Sequence, residues 1–418
     1  MARTAREHVL VIGAGRDLAA RMRARTDVRT TTLVRITRLA KVARPADNER
    51  IIALPADAPG EWLAHAGFVH SCDPVDRVAA FSELDQDKAA AIADLLGLPF
   101  HSARTVRNVT DKLAMRRALA EAAVEQVCCA EVFGPDEVTA LLQRWGTLVL
   151  KPTGGTGSRG VSIVRTAADV QSAWRWSAGD GRSPITAEQY LDGQEFSVEA
   201  FSEDGDHEIV AITRKFKDDR HLVETGHQVP AGLPDESERA VARHVAAVLD
   251  ALGVRNGPTH TEVILTAAGP RTVETHLRLG GDSIPELVAD ATGVDLFDFT
   301  ARQAGGRRVL AELRHTLART PKASAAIWFV GADDDGVLTG VNGLELAREQ
   351  DGVVDVQLTK GIGEPVSAEL ADSESRVLYC RAVHAEPARA LAVARAAAER
   401  VMLLTETAAT LVDGNTVA

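Results

Sequence analysis

Two glutamates stand in the stretch "THTEVILTAAGPRTVETHLRLGG", residues 259–281. Glu262 and Glu274 flank "AAGP", which reads as a turn between two strands. Strand side chains alternate faces, so His260, Glu262 and Ile264 share one side, and Thr272, Glu274 and His276 share another. With a loop over 267–270, residue 266 faces 271, and Glu262 falls opposite residue 274 or 275. Like charges across a sheet, with side chains roughly 5 Å apart, repel. A proton or a cation must relieve them. Two carboxylates together with phosphate oxygens form the usual setting for Mg2+. The alternative is a register shifted by one, with either glutamate a solvated strand residue.

Other stretches point to phosphate. "KPTGGTGSRG" (151–160) places Gly154, Gly155, Gly157 and Gly160 among Thr153, Thr156 and Ser158. Glycines let backbone N–H groups approach phosphate oxygens, and hydroxyls add donors. It is not a Walker loop, because Lys151 precedes the glycines and no GK[ST] is present. "GAGRDL" (13–18) lacks the third glycine of a dinucleotide fingerprint. Lys151 closes the apolar strand "LVLKP", and Lys112 opens a helix; a point charge on a flexible stem suits a phosphate. In "EQYLDGQE" (188–195), Glu188 ends a strand and Glu195 follows a turn. Backbone groups there can pair with an adenine edge, and a carboxylate can accept ribose hydroxyls. A plain hairpin with exposed acids is the alternative.

The elements that must hold these residues form three units. "HVLVIGAG" reads as a buried parallel strand, "FVHSCD" as a later strand, and "DQDKAAAIADLLGLPFHS" as a helix, a glycine stop and a short strand. These make an α/β unit over 1–102. The second unit, 103–315, starts with a helix capped by Thr110 or Asp111 and running through Leu119. It continues as strand–loop–strand (147–164) and strand–turn–strand (185–202). A helix follows, with Val241, Val245, Val248, Leu249 and Leu252 at helical spacing up to Gly253. The third, 316–418, shows short strands in "ASAAIWFVG", "GVLTGVNG", "GVVDVQLT" and "SRVLYCRAVHA", and a closing helix "PARALAVARAAAERVMLL"; it is an α+β unit.

A chain of 418 residues with 45% hydrophobic and 25% charged residues is ordinary globular material for two or three domains. A net charge of -12 argues against a nucleic-acid partner. Cys72, Cys128, Cys129 and Cys380 form no CxxC or Cys/His ligand spacing, so free thiols in a reducing cytosol are expected. No run is apolar enough for a membrane span, and a cytoplasmic location is expected.

In this order the pieces resemble the ATP-grasp superfamily of carboxylate–amine ligases. The resemblance covers most of the chain: a Rossmann-like pre-ATP-grasp domain, the ATP-grasp domain, and a small C-terminal domain of the biotin-carboxylase-like branch. "ETGHQVPAGLP" (224–234) and "ETHLRLGGDSIPELV" (274–288) look most like the L-amino-acid ligases, which join amino acids into dipeptides and related amides. The resemblance implies ATP and Mg2+ as cofactors, and small-molecule carboxylate and amine substrates. It implies that Lys112 and Lys151 hold phosphates under the loop Thr153, Gly154, Gly155, Thr156, Gly157, Ser158. Glu188 with the backbone near Tyr190 and Leu191 would hold adenine, and Glu195 the ribose. Glu262, Glu274 and His276 would hold metal, His276 standing where many members have Asn. Arg278, with Lys151, would serve the reacting groups, and Glu224, His227 and Gly280 the amino-acid pocket. A homodimer is a further implication. Two other readings stay open: a biotin-carboxylase-like or purine-pathway ligase, and a nucleotide-binding module without catalysis.

Overall fold

The computed structural model describes residues 6–15, 17–56, 58–153, 160–179, 184–218, 223–320 and 323–406. The run "HVLVI" forms the fully buried strand His8–Ile12. It is the third strand of a parallel four-stranded sheet in the order Arg50–Leu54, Arg29–Arg35, His8–Ile12, Arg77–Ala80. "FVHSCD" is not a strand. It closes the helix Pro59–Cys72, whose Trp62, Ala66 and Val69 meet the core at helical spacing after a proline in the first turn. The helix Gln86–Leu96 stops at Gly97, which takes the left-handed φ of 66°. The expected strand after it does not form; Leu98–Ser102 crosses in irregular backbone, starting at Pro99, which lacks an N–H.

One helix was expected next, and two are found. Ser102 caps Ala103–Thr110, and the Asp111 carboxylate caps Lys112–Glu121 by accepting from Leu113 and Ala114. The segment that follows builds a small antiparallel sheet in the order Cys129–Val132, Ile185–Gln189, Leu148–Pro152, Ser162–Val164. The helices Pro135–Trp145 and Val170–Ala178 pack on it through Val138, Val170 and Ala173.

The large sheet has eight antiparallel strands. Their order is Gly269–His276, Gly257–Thr266, Gly193–Glu203, Asp206–Lys217, Glu224–Val229, Ser324–Gly331, Arg376–His384, Val353–Leu358. The last three come from the C-terminal part, so its backbone continues the sheet of the central part. At that seam Gly226 lies opposite Trp328. A Cβ there would stand 2.7 Å from the Ile327 carbonyl oxygen and 2.5 Å from the Trp328 ring, so only glycine fits. The helix Asp235–Leu252 buries Val241, Val245, Val248, Leu249 and Leu252, as its spacing requires. The closing helix is shorter than expected: Pro387–Ala398 ends, and Met402–Glu406 forms a strand of a separate three-stranded sheet.

Candidate active site

The glutamate hairpin pairs Glu262 directly with Glu274. It arrives there by a different route from the expected loop. The turn is tighter, with Thr266 facing Gly269, which alone would put Glu262 opposite residue 273. A bulge between Glu262 and Val263 adds one residue and restores the pairing with Glu274. The Thr272 backbone beside this bulge is gripped from both sides. Its N–H donates to Glu125 at 2.8 Å, and its carbonyl accepts from Arg116 at 2.6 Å.

The strand–turn–strand at 185–202 is not a hairpin. Ile185–Gln189 belongs to the small sheet and Gly193–Glu203 to the large one, so Tyr190–Asp192 crosses between them. Beside this crossing lies a cavity of about 510 Å³, which Lys112, Lys151, Glu188, Tyr190, Leu191, Glu195, Glu262 and Glu274 all line. These eight of the sequence-derived nucleotide and metal residues thus converge there, while His276 does not line the cavity. Thr153 stands nearby, its hydroxyl donating to the Pro184 carbonyl. Gly154, Gly155, Thr156, Gly157 and Ser158 lie outside the described residues.

Each carboxylate has a cation. Lys112 Nζ lies 3.0 Å from Glu274. Burial opposes the charge on Glu274, but Lys112 and then His276 hold its carboxyl well below the ordinary range. Lys151 donates to Glu188, and Arg116 donates to both Glu188 oxygens at 3.1 and 3.3 Å. Burial alone would raise Glu188; Lys151 and Arg116 override it and hold it at about 2. Arg116 also pairs with Glu125 at 2.9 Å. The buried Lys215 touches Glu195 at 2.6 Å, Glu262 at 2.6 Å and Glu224 at 3.1 Å. Lys217 adds a 2.6 Å contact to Glu195.

Oxygens of Glu195, Glu224 and Glu262 all lie within 4.8 Å of one another. Hard carboxylate oxygens so placed, with Glu274 across the hairpin, fit Mg2+. His276 has both ring nitrogens engaged, by Glu83 at 2.8 Å and Glu274 at 3.0 Å. As placed it fixes Glu274.

Arg278, His227 and Gly280 do not line this cavity. The Arg278 Nε donates to Glu83 at 3.0 Å, on the far side of His276. The buried His227 faces Asp282 at 3.3 Å, and Arg376 grips the same carboxylate at 2.7 and 2.8 Å. Gly280 packs where a Cβ would meet His260 and Glu199 at 3.0 and 3.1 Å. Sequence reasoning missed Glu83, Arg116, Glu125, Lys215, Asp282 and Arg376. Of these only Lys215, at period-two spacing from Lys217 in "RKFK", left a local signal.

Residues 146–286 match the ATP-grasp domain family, and 328–406 match the L-amino acid ligase C-terminal domain 2. An uncharacterized protein of Sinorhizobium fredii is 31% identical over 275 residues, 64% of this chain and 56% of that protein. The alanine–anticapsin ligase of Bacillus subtilis is 26% identical over 247 residues, 53% of this chain and 52% of the ligase. The chain thus spans about half the length of these curated relatives. The solved L-amino acid ligase of Bacillus licheniformis shares the fold, with a TM-score of 0.80 and 21% identity over 97% of this chain and all of that one. The fold is the ATP-grasp fold. The chain is thus similar to ATP-grasp ligases in its central part and to the L-amino acid ligases in its C-terminal part. Among the described residues no helix is long and apolar enough to cross a membrane.

Proposed function

We propose that the protein is an ATP-dependent carboxylate–amine ligase, joining an amino acid to an amine or second amino acid through an acyl phosphate. One observation carries the reading: Glu262 and Glu274 face each other across the hairpin, in one cavity with Lys112 and Lys151. A carboxylate expels oxide poorly, so it must first be activated. Its oxygen attacks the γ-phosphorus of ATP, giving an acyl phosphate and ADP. The amine nitrogen then attacks the acyl carbon, phosphate leaves with the oxygen that attacked, and the nitrogen loses a proton.

In this reading Lys112 and Lys151 turn from their carboxylates to the phosphates. Glu188 and the crossing at Tyr190 and Leu191 hold adenine, and Glu195 the ribose. Water would hydrolyse the acyl phosphate, so the reading requires its exclusion from the phosphates. Glu262 and Glu274 would hold Mg2+, which would offset charge on the transferring phosphoryl group. Arg278 serves the reacting carboxyl, with Glu83 and His276 fixing its side of the site. Glu224, His227 and Gly280 belong to the amino-acid pocket. The test is ADP release from MgATP across a matrix of amino-acid pairs. The reading requires release that depends on both partners; a matrix in which no pair or single compound stimulates it overturns the reading.

A further inference from the structure

A second cavity, of about 620 Å³, lies between the N-terminal unit and the large sheet. Its size falls in the range of small-molecule sites. The strand Arg77–Ala80 runs along it, and among the described residues that strand pairs only with His8–Ile12. Its outer edge is open because Leu98–Ser102, which could have added a strand, passes as irregular backbone across the cavity. The cavity reaches Leu18 and Phe81, which follow the first and last strands of the parallel sheet. In the observed strand order those two strands flank the point where the winding reverses. Open α/β sheets bind ligands at that point.

The lining has two characters. Leu18, Phe81, Leu277, Leu279 and Ala304 make an apolar floor. Arg77, Arg255, Arg307 and Arg308 stand round the rim. Arg77 pairs with Glu7, Arg308 with Asp204, and Arg255 donates to the Asp204 carbonyl. The exposed Arg307 has no side-chain partner among the described residues. The residue before it, Gly306, packs against Arg77, whose guanidinium carbon would stand 2.5 Å from a Cβ added there. His101 also lines the cavity, edge-on to Phe100, with no hydrogen-bond partner among the described residues. Burial pushes its pKa down to about 4, so it is neutral at pH 7 and can both donate and accept.

We propose that this cavity binds a small amphipathic carboxylate, an amino acid or short peptide with a large apolar side chain, its carboxylate on Arg77 and Arg307 and its side chain on the floor. Arg278 lines the same cavity. From it the contacts Arg278–Glu83, Glu83–His276 and His276–Glu274 lead to the wall of the first cavity. Occupancy of one cavity is therefore felt at the glutamate hairpin of the other. That bearing on turnover rests on the ligase reading above; the binding itself does not.

The experiment is isothermal titration of the whole protein with L-phenylalanine, alanyl-phenylalanine and L-phenylalaninamide, repeated on Arg307→Glu and Ala304→Phe. Saturable binding of at least one carboxylate is expected, weaker by about tenfold or more for the amide and for Arg307→Glu, as loss of a charge-assisted bond implies. Ala304→Phe fills the floor and should weaken it likewise, with the thermal midpoint checking that it folds. Tighter L-phenylalanine would mark a substrate site, and tighter alanyl-phenylalanine a product site. No saturable binding of either, equal binding of the amide, or unchanged binding in both variants overturns the proposal. MgATP should bind Arg307→Glu as it binds the wild type. A wild type that takes L-phenylalanine but not MgATP would sink the ligase reading and leave this one standing.

Discussion

Replacing Arg116 by methionine removes the cation shared by Glu188 and Glu125, both buried. Glu188 keeps Lys151 as its contacting cation. Glu125 keeps the Thr272 N–H and His244, which burial holds neutral at pH 7 with a pKa of about 4. The fall of the Glu188 carboxyl from 4.5 to about 2 corresponds to roughly 3 kcal/mol of stability, at about 1.4 kcal/mol per pH unit, shared between Lys151, the larger cause, and Arg116. Removing one partner of a buried pair costs a similar amount, about 3–5 kcal/mol. The sign follows from the depressed pKa. The contribution is complete above about 4.5 and is lost as pH falls through about 2. Thermal midpoints from pH 7 to pH 3 at constant ionic strength measure it. The variant should melt about 5 °C or more below the wild type at pH 7, with the gap narrowing below pH 4.5. Because Arg116 also holds the carbonyl of Thr272, two residues before Glu274, its KM for MgATP should rise. A midpoint within about 1 °C of wild type at pH 7, with unchanged KM, would refute the reasoning.

Glu274→Gln should abolish turnover and weaken MgATP binding while the protein still folds, at a midpoint lowered by the loss of the Lys112 pair; unchanged kcat would remove the metal assignment. Lys215→Met leaves the carboxylates of Glu195, Glu224 and Glu262 without their shared cation, a loss of about 3–5 kcal/mol. Added MgCl2 should therefore raise the variant's midpoint more than the wild type's, and equal responses would count against a cation site there. His260 is lifted to about 9: burial lowers it, but Glu199 and then Glu262 override that. Its contribution is thus whole below pH 6.5 and lost as pH rises through 9. His260→Gln should flatten the stability profile between those limits, and a profile parallel to wild type would show the pair to be inert.

Period-two alternation placed Glu262 opposite residue 274 or 275 and no closer, because the tight turn and the compensating bulge that select Glu274 depend on what grips the strand from outside. Here that grip is Arg116 and Glu125, from a different helix and its flank. The same limit hid Glu83, which reaches His276 across 193 positions of sequence. Eight of the residues lining the first cavity carried local signals, at a strand end, a helix start or a turn, or in the alternation of the glutamate hairpin; Arg116, which lines it too, carried none. Apolar spacing gave the helix Asp235–Leu252 correctly, whereas "FVHSCD" misled because its short apolar run was read without the proline and Trp62 upstream. The C-terminal strands read as a separate unit, and only their pairing shows that they extend the large sheet.

The central claim is that the carboxylate is activated as an acyl phosphate. The direct measurement takes an amino-acid pair that supports turnover, labels the donor carboxylate with oxygen-18, and analyses the nucleotide and phosphate products by mass spectrometry. The account predicts ADP, a condensed amide, and one labelled oxygen carried into inorganic phosphate. Label in AMP, with pyrophosphate released, would mean adenylation and would contradict the assignment of the site.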